Sequence, residues 1–103
     1  MLSIYSVMLG VLGDMKPVMR GIEARDPDLA KQLKRASSSV VLNIAEGSGS
    51  FGGTRRARYN TALGSARETR ACFDVAAAMG YAVINKDVLR KLDIVIGTLV
   101  KVV

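Results

Sequence analysis

The stretch from Ala36 to Gly53, ASSSVVLNIAEGSGSFGG, decides how this chain is built. Its first half sets small residues around Val40 and Ile44, which fall on one face of a helix. Its second half, residues 47–53, holds four glycines and two serines, which predicts a turn or short flexible loop. Gly47 is the expected C-terminal cap of the helix before it, and Thr54 the candidate cap of the helix after it. Three arginines, Arg55, Arg56 and Arg58, follow at once. The reading is two helices joined by a glycine-rich break, with concentrated positive charge beside the junction.

Upstream of this hairpin, Asp26-Pro27-Asp28 marks a helix start. The Asp26 carboxylate accepts from free first-turn N–H groups, and Pro27 fits the first helical position. Leu29, Leu33, Ala36, Val40 and Ile44 then form one apolar seam. Further upstream, Ile4, Met8, Val11, Met15, Val18 and Ile22 repeat by fours and threes, the seam of another helix ending around Ala24. Pro17 removes a backbone donor within it, so a kink is expected near Gly13.

Downstream, Tyr59, Leu63, Ala66, Phe73 and Ala77 continue the rhythm as far as Gly80. Arg70 stands inside this seam, where an apolar residue is expected. Asn85 can cap a last helix whose inner face is Val88, Leu92, Val95, Leu99 and Val102. No segment alternates with period two long enough to argue for a sheet. The expected architecture is all-α: an antiparallel up-and-down four-helix bundle, one domain over residues 1–103.

The net charge is +6, and residues 31–70 carry the whole excess, with eight basic and two acidic side chains. Charge confined in this way predicts a patch for a polyanion, formed by Lys31, Lys34, Arg35, Arg55, Arg56 and Arg58. Arginine suits phosphate because its planar fork donates two parallel hydrogen bonds. Three cations at a helix N-terminus also oppose its dipole, a local cost that an anionic ligand would offset. The glycine run is not a phosphate-binding loop, because no GK[ST] follows it.

Other chemistries are poorly served. With no histidine and one cysteine, the common zinc and iron sites and the Ser-His or Cys-His nucleophile pairs are excluded. Cys72, beside Phe73, reads as a reduced packing residue. Glu46 and Glu68, the acids of the basic segment, read as structural partners of arginines such as Arg70 or Arg67, or of loop N–H groups. Asn43, near the buried seam, is expected to hydrogen-bond across helices or to the loop backbone. No cofactor or metal is expected.

The N-terminal run MLSIYSVMLGVLGDM lacks a basic leader and a cleavage site, and is too short to span a bilayer. It is read as a core helix of a cytoplasmic protein without membrane contact. Ser38, Val41 and Ala45 form a second small-residue face, as do Ala57, Gly64, Ala71, Val75 and Ala78 roughly opposite Tyr59 and Phe73. Faces of this kind admit a second helix closely, so a subunit interface is expected.

The segments Gln32-Leu33-Lys34-Arg35-Ala36, Ser39-Val40, Asn43-Ile44-Ala45-Glu46-Gly47, Ala62 with Gly64-Ser65-Ala66 and Glu68, and Gly80-Tyr81 occur in an order that resembles a known family. These are the four-helix-bundle proteins encoded in intervening sequences of bacterial 23S rRNA genes, the S23 family. The resemblance covers about residues 26–82. It implies a ring-like homopentamer and a kinship with the accessory variability determinants of diversity-generating retroelements, basic nucleic-acid-binding proteins that work with a reverse transcriptase. Arginines stand where the family often has an acidic residue before the third helix, which places the chain at the basic end.

The functional expectation is therefore a non-enzymatic, homo-oligomeric helical protein that binds RNA or DNA. The alternative is a protein-interaction scaffold, or an accessory subunit for a reverse transcriptase in a diversity-generating retroelement.

Overall fold

Proline, glycine and two side-chain caps set most of the helix boundaries. The computed structural model describes residues 3–103 and contains α1 (Ile4–Asp14), α2 (Lys16–Arg25), α3 (Pro27–Ser48), α4 (Gly52–Ala78) and α5 (Lys86–Val102). The described residues are all-helical, without strands. The described residues form five helices where the sequence pattern suggests four, because the N-terminal rod divides at Met15. Pro17 has no N–H to give the Gly13 carbonyl, so the ladder is interrupted there. It resumes on both sides: the Met15 N–H donates to the Val11 carbonyl at 3.0 Å, and the Met19 N–H donates to the Met15 carbonyl at 2.9 Å.

Three helix ends follow the sequence closely. The Leu29 N–H donates to Asp26 Oδ1 at 3.0 Å, opening α3, and the Asp87 N–H donates to Asn85 Oδ1 at 2.7 Å, opening α5. At the end of α4 the Tyr81 N–H donates to the Ala76 carbonyl at 2.8 Å and the Gly80 N–H to the Ala77 carbonyl at 3.1 Å. This double closure needs a left-handed residue, and Gly80 supplies it at φ 73°.

The hairpin junction differs from expectation. Gly47 is not a cap but a buried residue inside α3, which runs on to Ser48 with Gly49 at its C-cap. Thr54 is not a cap either. The helix already begins at Gly52, whose φ is 55°, with Phe51 in the capping position and no side-chain bond to the first turn. Only residues 49–51 lie between the two helices.

The helix α3 packs along α4, and the two form the longest interface. Both α1 and α2 lie against α3, and α5 packs on α4 and α1. The expected seams meet in the middle: Met8, Val11, Ile22, Leu33, Val40, Ile44, Phe73, Leu92, Val95 and Leu99 have no exposed surface. Burying each such side chain contributes about 1.5–3 kcal/mol, so this shared core fixes the helix order. Two expected core residues are outside it. Ala77 is exposed and Val102 is 37% exposed, and both sit in the final turn of their helix. No described helix is long and apolar enough to cross a membrane.

Candidate nucleic-acid interface

The α3–α4 junction is tight because residue 47 has no side chain. A Cβ on Gly47 would fall 2.5 Å from Tyr59 Cε1, so the aromatic ring lies directly on the α3 backbone. Ser48 Oγ and the Tyr59 hydroxyl are 3.2 Å apart, and Ser50 Oγ donates to the Glu46 carbonyl at 2.8 Å. Arg55 closes the same end. Its Nε donates to the Gly47 carbonyl at 3.1 Å, and an Nη donates to the Ser48 carbonyl at 3.5 Å. A cation over the last carbonyls of α3 is favourable to that helix, which satisfies acceptors its own ladder leaves free. Arg55 thus has a structural reason to stand at the start of α4.

Arg58 is held as well: its Nη1 lies 3.0 Å from Glu46 Oε2, an exposed pair bridging α4 and α3. Arg56 is exposed and has no ion pair among the described residues. Of the three arginines read as costly at a helix N-terminus, two are therefore compensated by α3, and Arg56 alone keeps the unexplained charge. Phe51 completes this end. It is 83% exposed, and the Arg55 guanidinium carbon sits 5.7 Å from its ring centroid.

Lys31, Lys34 and Arg35 are all exposed but stand at the other end of the hairpin. From Arg35 to Gly47, α3 climbs roughly 18 Å at about 1.5 Å per residue. Lys31 and Arg35 line a groove with Asp28, Gln32 and Glu68, whereas Lys34 lines grooves that face α2, with Glu23 and Pro27 on one side and Met19 on the other. The six cations therefore form two groups, with Lys31 shared between the groove of Arg35 and a groove of Lys34 that faces α2. Arg35 and Arg58 share the α3–α4 seam, which runs from Gln32–Glu68 (3.2 Å) through Ser39–Ser65 (2.9 Å) to Glu46–Arg58.

Gln32, Arg35, Ser39, Glu46, Ser65 and Glu68 of this seam fall in the segments whose order resembles a known family. The family model described as 23S rRNA-intervening sequence protein matches residues 18–101. The chain belongs to the 23S rRNA-intervening sequence protein family. Comparisons with curated proteins and with solved structures give no significant match.

In this family member one acid of the seam pairs with an arginine as expected, and the other polar residues find different partners. Glu46 holds Arg58, and Glu68 accepts from Gln32 rather than from an arginine. Asn43 does not bridge helices. Its Nδ2 donates back within α3, to the Ser39 carbonyl at 2.9 Å and Ser39 Oγ at 3.1 Å, and it is Ser39 that reaches α4 through Ser65. Arg70 lies on the core seam by position but extends to Asp93 of α5 and, at 3.5 Å, to Asp74. The 3.5 Å contact is made by its buried Nε and falls outside hydrogen-bond geometry. Cys72 is buried, and that burial, reinforced by the neighbouring Glu68 carboxylate, pushes its thiol pKa upward. Among the described residues no group of three or more acidic, cysteine or histidine side chains could hold a metal ion.

Phe51 is a functional candidate that helix periodicity does not mark; its signal in the sequence is a lone aromatic set between serine and two glycines, four residues ahead of Arg55.

Proposed function

We propose that this chain is a non-enzymatic, homo-oligomeric protein that binds RNA or DNA through the exposed cations of its α3–α4 hairpin. One observation carries the reading: Lys31, Lys34, Arg35, Arg55, Arg56 and Arg58 are all exposed, and of the six only Arg58 is in an ion pair among the described residues. The junction group of Arg55, Arg56 and Arg58 is the primary contact. Lys31 and Arg35 extend it along the hairpin. Counterion release makes such binding strongly salt-dependent.

In this reading α1 and α2 act as one kinked rod, so the subunit is an antiparallel four-helix bundle of a cytoplasmic protein. Ala57, Gly64, Ala71, Val75 and Ala78 are all exposed, which favours close approach of a second copy. Family resemblance supports a copy number of five. Repeating a +6 subunit around a ring multiplies the field felt by a polyanion.

The exposed apolar side chains Leu42, at 62%, and Met79, at 60%, favour a second reading. Here the chain is a scaffold whose arginines meet an acidic partner protein, with a retroelement reverse transcriptase as the candidate. Filter binding to RNA and to DNA at rising salt tests the first reading, which expects affinity that falls steeply with salt. Absent or salt-independent binding to both would overturn it. Charge reversal at Arg55 and Arg56 separates the two readings: lost partner co-purification with intact nucleic-acid affinity favours the scaffold.

A further inference from the structure

Phe51 contradicts two local rules at once. The position before α4 is where Ser, Thr, Asp or Asn would stabilise the helix by about 1 kcal/mol, and phenylalanine makes no cap bond there. A phenyl ring also gains most from burial, yet this one is 83% exposed while Phe73 has no exposed surface. Residues that break local rules and stay exposed are expected at functional sites.

The surroundings of the ring define a chemistry. Arg55 backs it at 5.7 Å, and Arg55 is itself anchored on the carbonyls of Gly47 and Ser48, so the ring rests against a fixed guanidinium. Arg56 and Arg58 follow within the next turn of α4. The first-turn N–H groups at Gly52 and Gly53 receive no side-chain cap. A flat apolar surface backed by a cation and flanked by further cations fits an unpaired base with its phosphates. Bases in a duplex are already stacked on one another and cannot offer that face.

We infer that Phe51 is a stacking platform for single-stranded nucleic acid, with Arg55 behind the ring and Arg56 and Arg58 on the flanking phosphates. The inference rests on the nucleic-acid reading above and adds to it a preference for single strands.

The test uses the full chain with oligouridylate and oligothymidylate of about 12 nucleotides, a length within the range such sites cover, and a duplex of equal length. Phe51→Ala is expected to weaken single-strand binding roughly 5- to 100-fold, while duplex binding and the salt slope stay unchanged. The chain has no tryptophan, so emission from Phe51→Trp reports on this position alone. It is expected to be quenched by single strands and not by duplex. Wild-type single-strand affinity in Phe51→Ala overturns the platform and leaves the nucleic-acid reading standing. An equal loss on duplex also overturns it, as does a change of oligomeric state in light scattering, which would make the ring a subunit contact. A wild-type chain that binds neither single strands nor duplex removes both readings together.

Discussion

The ring of Tyr59 occupies the space where a side chain on Gly47 would be, with Cε1 only 2.5 Å from the position of the missing Cβ. This contact sets how closely α3 approaches α4. It therefore sets where Arg55 and Arg58 meet the end of α3. Gly47→Ala must push the ring or the backbone aside, and overpacking of this kind costs about 1–3 kcal/mol. Thermal unfolding followed by circular dichroism should show a melting temperature lower by roughly 4–8 °C for each kcal/mol lost.

Glu46 restrains Arg58 through an exposed pair at 3.0 Å. Glu46→Gln releases the guanidinium and removes a negative charge from the junction. The stability loss should be at most about 1 kcal/mol. Nucleic-acid affinity should rise, and the slope of log affinity against log salt should steepen by up to about 0.7–0.9 as Arg58 no longer divides its charge between Glu46 and phosphate. Titrations of wild type and variant over a salt series check this.

Arg70 spends an apolar-seam position on ion pairs with Asp93 and Asp74, and its buried Nε meets Asp74 only at 3.5 Å, outside hydrogen-bond geometry. Arg70→Met removes that poorly satisfied donor and keeps the stem's packing. Asp74 and Asp93 are more than half exposed, so water can replace the lost cation. The variant should match or exceed wild-type stability in urea titrations, whereas Asp93→Asn should cost up to about 1 kcal/mol.

Cys72 should be inert in the native chain. Its thiol pKa is raised above the ordinary 9.0, first by burial and then by Glu68. A thiol reagent at neutral pH should react slowly with native protein and rapidly in denaturant. The sign of the pH effect follows from the same shift. The unfolded thiol ionises more readily than the folded one, so stability is unaffected below about pH 9 and falls above it. Cys72→Ser should lose that alkaline decline in urea midpoints measured across the range.

The helix seams were legible because periodicity is a property of the chain itself. Leu33, Val40, Ile44, Phe73, Leu92 and Leu99 could be assigned to the core before any neighbour was known. The caps at Asp26, Gly80 and Asn85 were legible for the same reason, since each acts within a few residues. The junction was not. Gly47 resembles a cap in sequence and becomes a close-packing residue only because Tyr59 comes over it. The partners of Glu46, Asn43 and Arg70 depend on helix rotation, which periodicity does not specify at the flanks of a seam. The cationic residues were legible as a set. Their division into two groups roughly 18 Å apart follows from the length of α3.

Among the exposed cations proposed to meet phosphate, Arg56 is the cleanest representative because it has no ion pair among the described residues. The decisive measurement is the salt dependence of single-stranded RNA binding by wild type and Arg56→Gln. The predicted result is a linear fall of log affinity with log salt in both, with a slope shallower by about 0.7 in the variant. Superimposable lines, or no binding by wild type at low salt, would contradict it.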